Sequence, residues 1–265
     1  MRENRFFLPA LNTAGYLLVV VVNALANILP INGITTGEVS DRYDNLFVPA
    51  GLTFSIWGII YILLAIFVVY QWIVARHETP AASFSGKVGP WFFISCLANA
   101  GWIVAWHFEM LPLTLVLMLV LLVSLLVIYL RLGVGMKYVT RAEQFLVDIP
   151  FSVYLGWISI ATIANVSAFL VSIQWGMLGL GPQFWAVVLI AVGIALALVM
   201  AIVRQDIFYA LVVDWALLGI LLKRLADPVT PDQVVVYAAI TGLVLVSGVI
   251  VLQLMRRRIY RPAVS

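Results

Sequence analysis

Apolar runs of about twenty residues, long enough to cross a bilayer as helices, recur eight times along the chain. They cover residues 9–29, 50–73, 89–108, 111–130, 145–171, 182–203, 207–222 and 234–254, with ends set to within about three residues. Pro112 suits the first turn of the fourth run and separates it from the third. The seventh run is the shortest and carries Asp214. No linker is long enough to divide domains, and there is no low-complexity tract. The pattern predicts an all-α integral membrane protein, an eight-helix transmembrane bundle.

Composition agrees. Hydrophobic residues make up 64% of the chain and charged residues 10%, against roughly 25% charged in soluble domains. The net charge of +3 comes from helix ends and the C-terminus rather than one patch, so no nucleic-acid partner is expected. A lone Cys96 excludes an internal disulfide and a cysteine-based metal cluster. Arg2, Arg5, Arg76, Lys87, Arg131, Lys137, Arg141, Arg204, Arg256, Arg257, Arg258 and Arg261 all fall on one side of an eight-span bundle. Glu38, Asp41, Asp44, Glu109, Asp227 and Asp232 fall on the other, with Lys223 and Arg224 out of place. Positive loops stay inside, so the expectation is a multi-pass protein of the cell (cytoplasmic or inner) membrane with both termini cytoplasmic. Two early arginines, an apolar run and Ala24-Leu25-Ala26 also fit a cleaved signal, although the run is long for one.

Three tryptophan-bearing patterns interrupt the aliphatic runs. They are Pro49, Phe54, Trp57, Tyr61; Asn99, Trp102, Trp106, Phe108; and Tyr154, Trp157, Ala161, Asn165. In the first and third the steps are threes and fours, which keeps each on one helix face. Large rings beside lone amides, in segments otherwise suited to lipid, describe the wall of a cavity for a flat, mostly apolar molecule. Each has a plainer reading. Trp57 and Tyr61 fit an interfacial aromatic belt, Asn99 a hydrogen-bonded bridge between helices, and Trp157 ordinary packing beside the small residues Gly156 and Ala161.

The order, spacing and types of these residues resemble the translocator protein family, the tryptophan-rich sensory proteins. Pro49, Phe54, Trp57 and Tyr61 stand at positions matching the family's second-helix pattern, which is similar except that Val48 replaces a proline, Gly51 a tryptophan and Ile56 the helix proline. Asn99-Ala100-Gly101-Trp102 resembles the third-helix pattern, followed by Trp106 where the family has an aromatic. The stretch from Tyr154 to Asn165 is the most similar, with Val153 where a proline is usual. The resemblance covers residues 9–171 and implies a five-helix translocator-like core, residues 1-172, with the first run retained as its first helix. Residues 173-265 would then be three appended transmembrane helices. The resemblance further implies a receptor or carrier whose ligand is a tetrapyrrole (porphyrin) or a sterol-like lipid. Trp57, Tyr61, Trp102, Trp106, Tyr154 and Trp157 would line the pocket, with Asn99 and Asn165 supplying hydrogen bonds and residues 31–48 a lid. No cofactor is required on this reading; porphyrin or haem would enter as ligand. The expected partners are a small hydrophobic ligand, the lipid bilayer and a second copy of the chain in a homodimer.

Two acids stand apart. Asp214 lies mid-run, where an ionisable group is expensive and marks a candidate proton carrier or a hydrogen-bonded structural carboxyl. It supports the runner-up reading, a proton-coupled small-molecule transporter. Asp148, near Arg141 and Glu143, fits a helix-end ion pair. His107 and Glu109 are expected to be solvent-exposed, and with no further ligands beside them no metal site is predicted. No acid–base pair or nucleophile is recognisable. An enzyme modifying a porphyrin or lipid is therefore the third reading.

Overall fold

The computed structural model describes residues 5–29, 31–77, 83–226 and 232–259. Arg2, Asp227 and Arg261, used above in the charge pattern, lie outside the described residues. No strand occurs among the described residues. The helices are α1 (Phe7–Ile28), α2 (Thr36–Arg42), α3 (Ile56–His77), α4 (Ser83–Val88), α5 (Trp91–His107), α6 (Leu111–Leu132), α7 (Arg141–Glu143), α8 (Ile149–Ser172), α9 (Pro182–Val203), α10 (Ile207–Leu225) and α11 (Gln233–Ile259).

Six helical segments are long and apolar enough to cross a membrane: Phe7–Ala26, Gly51–His77, Leu111–Leu132, Arg141–Ser172, Pro182–Val203 and Gln233–Arg256. The chain is thus an all-α membrane protein. The remaining two long helices are shorter or more polar than these six. With 17 residues α5 reaches about 26 Å at 1.5 Å per residue, a little less than the ~30 Å hydrocarbon core. The 19 residues of α10 include Asp214, with Lys223 and Arg224 in the last turn.

Local chemistry explains where the helices start and stop. Pro112 sits in the first turn of α6, and Gly133 closes that helix in the left-handed conformation (φ 75°). Asp206 caps α10, its Oδ1 accepting from the backbone N–H groups of Phe208 and Tyr209. A π-helical turn over Gln144–Asp148 leads into α8. It buries Asp148, which forms no ion pair with Arg141 among the described residues. The expected helix-end pair is absent because the turn rotates the carboxyl into the protein.

Helix α5 packs between α1 and α6, and α6 packs on α8. The C-terminal helices join this group through α10, which touches α8, α9 and α11. Close approach depends on glycine: a Cβ on Gly156 would stand 3.1 Å from Val212 Cβ and 3.2 Å from the Tyr209 carbonyl oxygen. At the other end of α10 the backbone N–H of Ala50 donates to the Gly219 carbonyl (3.0 Å), and Trp215 Nε1 donates to the Thr53 carbonyl (2.9 Å). These two bonds fix the entry to α3, where the site lies. On α6, Val116, Leu119, Val123, Leu126 and Leu130 are exposed at steps of three and four, a helix face suited to lipid.

Candidate functional site

Trp57 stands one residue into α3, just after the tight helical turn Gly51–Ser55. Its ring stacks on Tyr61 with centroids 5.6 Å apart. It also meets Trp102 at 6.3 Å, Tyr154 at 6.1 Å and Trp157 at 6.3 Å. One side chain therefore joins α3, α5 and α8, the helices of the three sequence patterns. Trp102 in turn stacks on Trp106 (5.6 Å, planes 20° apart), and Phe54 meets Trp157 edge to face. Offset-stacked and edge-on rings favour such clusters beyond their buried area.

The amides serve mainly as bridges. Asn99 Nδ2 donates to Tyr154 Oη (2.7 Å) and Asn23 Nδ2 donates to Asn99 Oδ1 (3.0 Å), tying α1, α5 and α8. Asn165 Nδ2 donates to Thr114 Oγ1 (3.1 Å), tying α8 to α6. In an apolar interior these groups must find partners, and here the partners are other helices.

Two cavities adjoin the aromatic cluster. The larger, about 630 Å³, opens between α1, α2, the start of α3 and α5. Val20, Asn23 and Ala24 form one wall, Phe54, Trp57, Tyr61 and Ile103 another, and Thr35, Thr36, Gly37, Glu38 and Asp41 the cover. The smaller, about 40 Å³, is enclosed by Ser40, Pro49, Phe54, Trp57, Trp102, Trp106, Trp157, Ile160, Ala161, Ala164 and Asn165. Phe54 and Trp57 stand in both walls.

The pocket expected from the sequence is thus divided. Trp57 and Tyr61 line the large cavity, while Trp102, Trp106, Trp157 and Asn165 line only the small one. Tyr154 and Asn99 line neither. A void of this smaller size holds about one water, too little for a planar ligand. Yet Trp102 and Trp157, 4% and 2% exposed, carry indole N–H groups without partners. Neither donates to Ser40 or Asn165, the polar residues in the wall of the small cavity. Trp106 differs, donating through Nε1 to the Thr36 carbonyl (3.1 Å).

Sequence reasoning missed the α1 wall and the role of absent side chains. A Cβ on Gly51 or Gly58 would meet nothing within 4 Å, and both positions line the large cavity. Gly51, where the resembling family has a tryptophan, leaves that volume open. Asn23 had a signal: it is a polar residue seven positions after Tyr16, hence on the same face of α1, and Tyr16 Oη donates to the Tyr61 carbonyl (3.1 Å).

The cover is held by polar contacts. Thr35 caps α2 in a capping box with Glu38. Those bonds from the Thr35 backbone and hydroxyl hold the Glu38 carboxyl below the usual glutamate range. Asn32 Nδ2 donates to the His107 carbonyl (3.0 Å). Arg42 forms an ion pair with Glu109, and Tyr43 Oη donates to Glu109 Oε2 (2.7 Å). The Tyr43 bond, then Arg42, lowers the Glu109 carboxyl. Burial, then Glu109, pushes the Tyr43 phenol up to about 12. Lys223, out of place in the charge pattern, pairs with Asp41 at 2.7 Å. His107, expected in solvent, is fully buried (0% exposed), with Nδ1 2.7 Å from the Ile103 carbonyl oxygen. The chain preceding α2 folds over it.

Asp214 sits apart from both cavities. It is half-buried between α10 and α11, where Ser247 Oγ donates to its Oδ2 (2.6 Å). No group of three or more His, Cys, Asp or Glu placed to hold a metal occurs among the described residues.

No curated protein and no solved structure matches the chain. A family model does, over residues 9–252, from the first long helix into the last. With a membrane-embedded helical bundle built around a tryptophan cluster, the chain belongs to the TSPO-like protein family.

Proposed function

We propose that this protein is a membrane receptor or carrier that binds an apolar, flat ligand, a tetrapyrrole or a sterol-like lipid, in the larger cavity. The family points to a membrane ligand-binding or transport protein. The observation that carries the finer reading is that cavity: about 630 Å³ beside the stacked Trp57 and Tyr61, within the usual range of 300–1,000 Å³ for small-molecule sites. The ligand would stack on Trp57 and Phe54. The tryptophans behind Trp57 would hold its ring in place. Residues 1-172 would hold the site. The three helices of residues 173-265 would brace it through Gly219 and Trp215. The protein would sit in the cell membrane with both termini cytoplasmic.

The runner-up, proton-coupled transport through Asp214, draws on the contact of that carboxyl with Ser247, but neither cavity has Asp214 in its wall. A photoreactive sterol or porphyrin analogue tests the first reading. Labelling should concentrate on α2 and on residues 51–61, and excess unlabelled ligand should suppress it. Labelling confined to the lipid-facing side of α11 would overturn it.

A further inference from the structure

Building on the proposed large-cavity site, we infer that the cavity opens sideways into the bilayer through a gap between α1 and α3 framed by Gly51 and Gly58, and that its ligand enters from the lipid rather than from water.

The two helices are tied together near the start of α1 and the end of α3. Trp72 Nε1 donates to Thr13 Oγ1 (2.9 Å), Asn12 Nδ2 to Gln71 Oε1 (3.2 Å) and Tyr16 Oη to the Tyr61 carbonyl (3.1 Å). Past Tyr16 the cavity comes between them, lined by Val20, Asn23 and Ala24 from α1 and by Trp57, Gly58 and Tyr61 from α3. Gly51 and Gly58 are exposed, line the cavity and have nothing within 4 Å of where a Cβ would stand. A residue that lies both on the cavity wall and on the outer surface marks the mouth. Neither glycine has a positive φ, so backbone conformation does not call for them. What they supply is the missing side chain.

The rim is apolar. Leu17, Val21 and Leu25 on α1 and Ile59 and Ile62 on α3 are exposed at steps of three and four, and residues 6–29 and 46–75 contain no charge. Both helices are long and apolar enough to cross a membrane, so a gap with this rim opens on acyl chains. The edge of the cavity at Glu38 and Asp41 is charged instead. The cover there is tied to its neighbours: Trp106 donates to the Thr36 carbonyl, Arg42 pairs with Glu109, and Lys223 with Asp41. An apolar ring system using that edge would expose its surface to water and part these contacts. The route between α1 and α3 requires neither.

Spin labels on the full-length protein in phosphatidylcholine vesicles test the mouth. Gly58→Cys, Gly37→Cys on the cover and Val123→Cys on the lipid face of α6 are each made in a Cys96→Ser background. The label at 58 should collide with oxygen, which concentrates in lipid, as the label at 123 does. The label at 37 should favour a water-soluble nickel chelate. Uptake of dehydroergosterol delivered by cyclodextrin, read by energy transfer from tryptophan, tests the route. Gly58→Phe narrows the gap and should slow uptake at least fivefold, whereas Glu109→Gln loosens the cover and should not speed it by more than twofold. Nickel access at 58 equal to that at 37 would overturn the inference and leave the cavity standing. So would uptake that Glu109→Gln speeds and Gly58→Phe leaves unchanged, or a Gly58→Phe protein that loses affinity at an unchanged rate of uptake. If dehydroergosterol shows no saturable transfer in the folded parent protein, the cavity reading itself fails and the inference with it.

Discussion

Trp57 and Tyr61 stack one turn apart on α3 with their planes 19° from parallel, and both line the large cavity. Trp157 touches the same Trp57 ring edge-on but is shut away from that cavity. The two tryptophans should therefore respond differently to substitution. Trp57→Ala should weaken a planar ligand roughly tenfold, the worth of about one stacked aromatic contact, with modest loss of stability. Trp157→Ala removes a buried ring at the junction of helices, and deletions of that kind cost about 3–5 kcal/mol in soluble cores. It should lower thermal stability first and affinity only as a consequence. Quenching of tryptophan fluorescence by a porphyrin, measured beside a melting curve for each variant, separates these effects. A folded Trp57→Ala protein of unchanged affinity would show that the ligand does not stack on this ring.

The cover is latched at Glu109, which accepts from Tyr43 and pairs with Arg42. Its φ of 54° is a backbone conformation uncommon for a non-glycine residue. The Glu109 pKa is lowered in the folded protein. Its contribution is thus fully present above the ordinary glutamate value of 4.5 and is lost as pH falls through the folded value. The Tyr43 pKa is raised to about 12. Its contribution is present below the ordinary value of 10.0 and is lost as pH rises through the folded one. The latch should hold between these limits and loosen outside them. Gly37→Cys, introduced in a Cys96→Ser background, reports on the latch, because position 37 lines the cavity with open space around it. At neutral pH, adding Glu109→Gln should speed thiol labelling at position 37 several-fold. Unchanged labelling means that α2 is held by Trp106 and Asn32 instead.

Two helices decide the topology. Fusions of a topology reporter after Lys87 and after Glu109 bracket α5, and fusions after Arg204 and Arg224 bracket α10. Each pair should report opposite sides, with Lys87 and Arg204 cytoplasmic by the positive-inside rule. Members of a pair found on one side would remove that helix from the set of spans and reverse the orientation of every helix after it.

Much of this arrangement was legible in the sequence because lipid imposes a simple rule. A run of aliphatic side chains with no partner for its backbone must be a helix, so the apolar runs map onto the long helices with ends shifted by a few residues. The offsets Trp57–Tyr61 and Tyr154–Trp157 were also legible, since steps of three and four fix a helix face whatever the tertiary context. The cavity was not. It exists where Gly51 and Gly58 lack side chains and where α2 is drawn over α5 by the bond between Trp106 and the Thr36 carbonyl, seventy residues apart in sequence. The burial of His107 has the same origin. Its helix-end position suggested solvent, and only the returning chain at Asn32 removes it from water.

Asp214 tests whether the C-terminal helices do more than brace the site. Ser247 Oγ donates to Oδ2 at 2.6 Å, while Oδ1 is buried without a partner. The next residue, Trp215, anchors α10 to the entry of α3 through the Thr53 carbonyl. A change in the charge of Asp214 thus lies one peptide from a contact that holds the entry to α3. A charge at the bilayer centre costs about 3 kcal/mol on insertion scales, so the carboxyl has a reason to exchange its proton as its surroundings change. Asn keeps the acceptor for Ser247 and removes the titration. Asp214→Asn should therefore fold and melt within about 1 kcal/mol of the parent, since one neutral hydrogen bond is retained, and should flatten any pH dependence of ligand affinity or flux. Ser247→Ala serves as the control: it breaks the bond and keeps the acid, so it should shift the midpoint of that pH dependence without abolishing it. An Asp214→Asn protein whose pH profile overlays the parent's would reduce the residue to a structural hydrogen bond between α10 and α11.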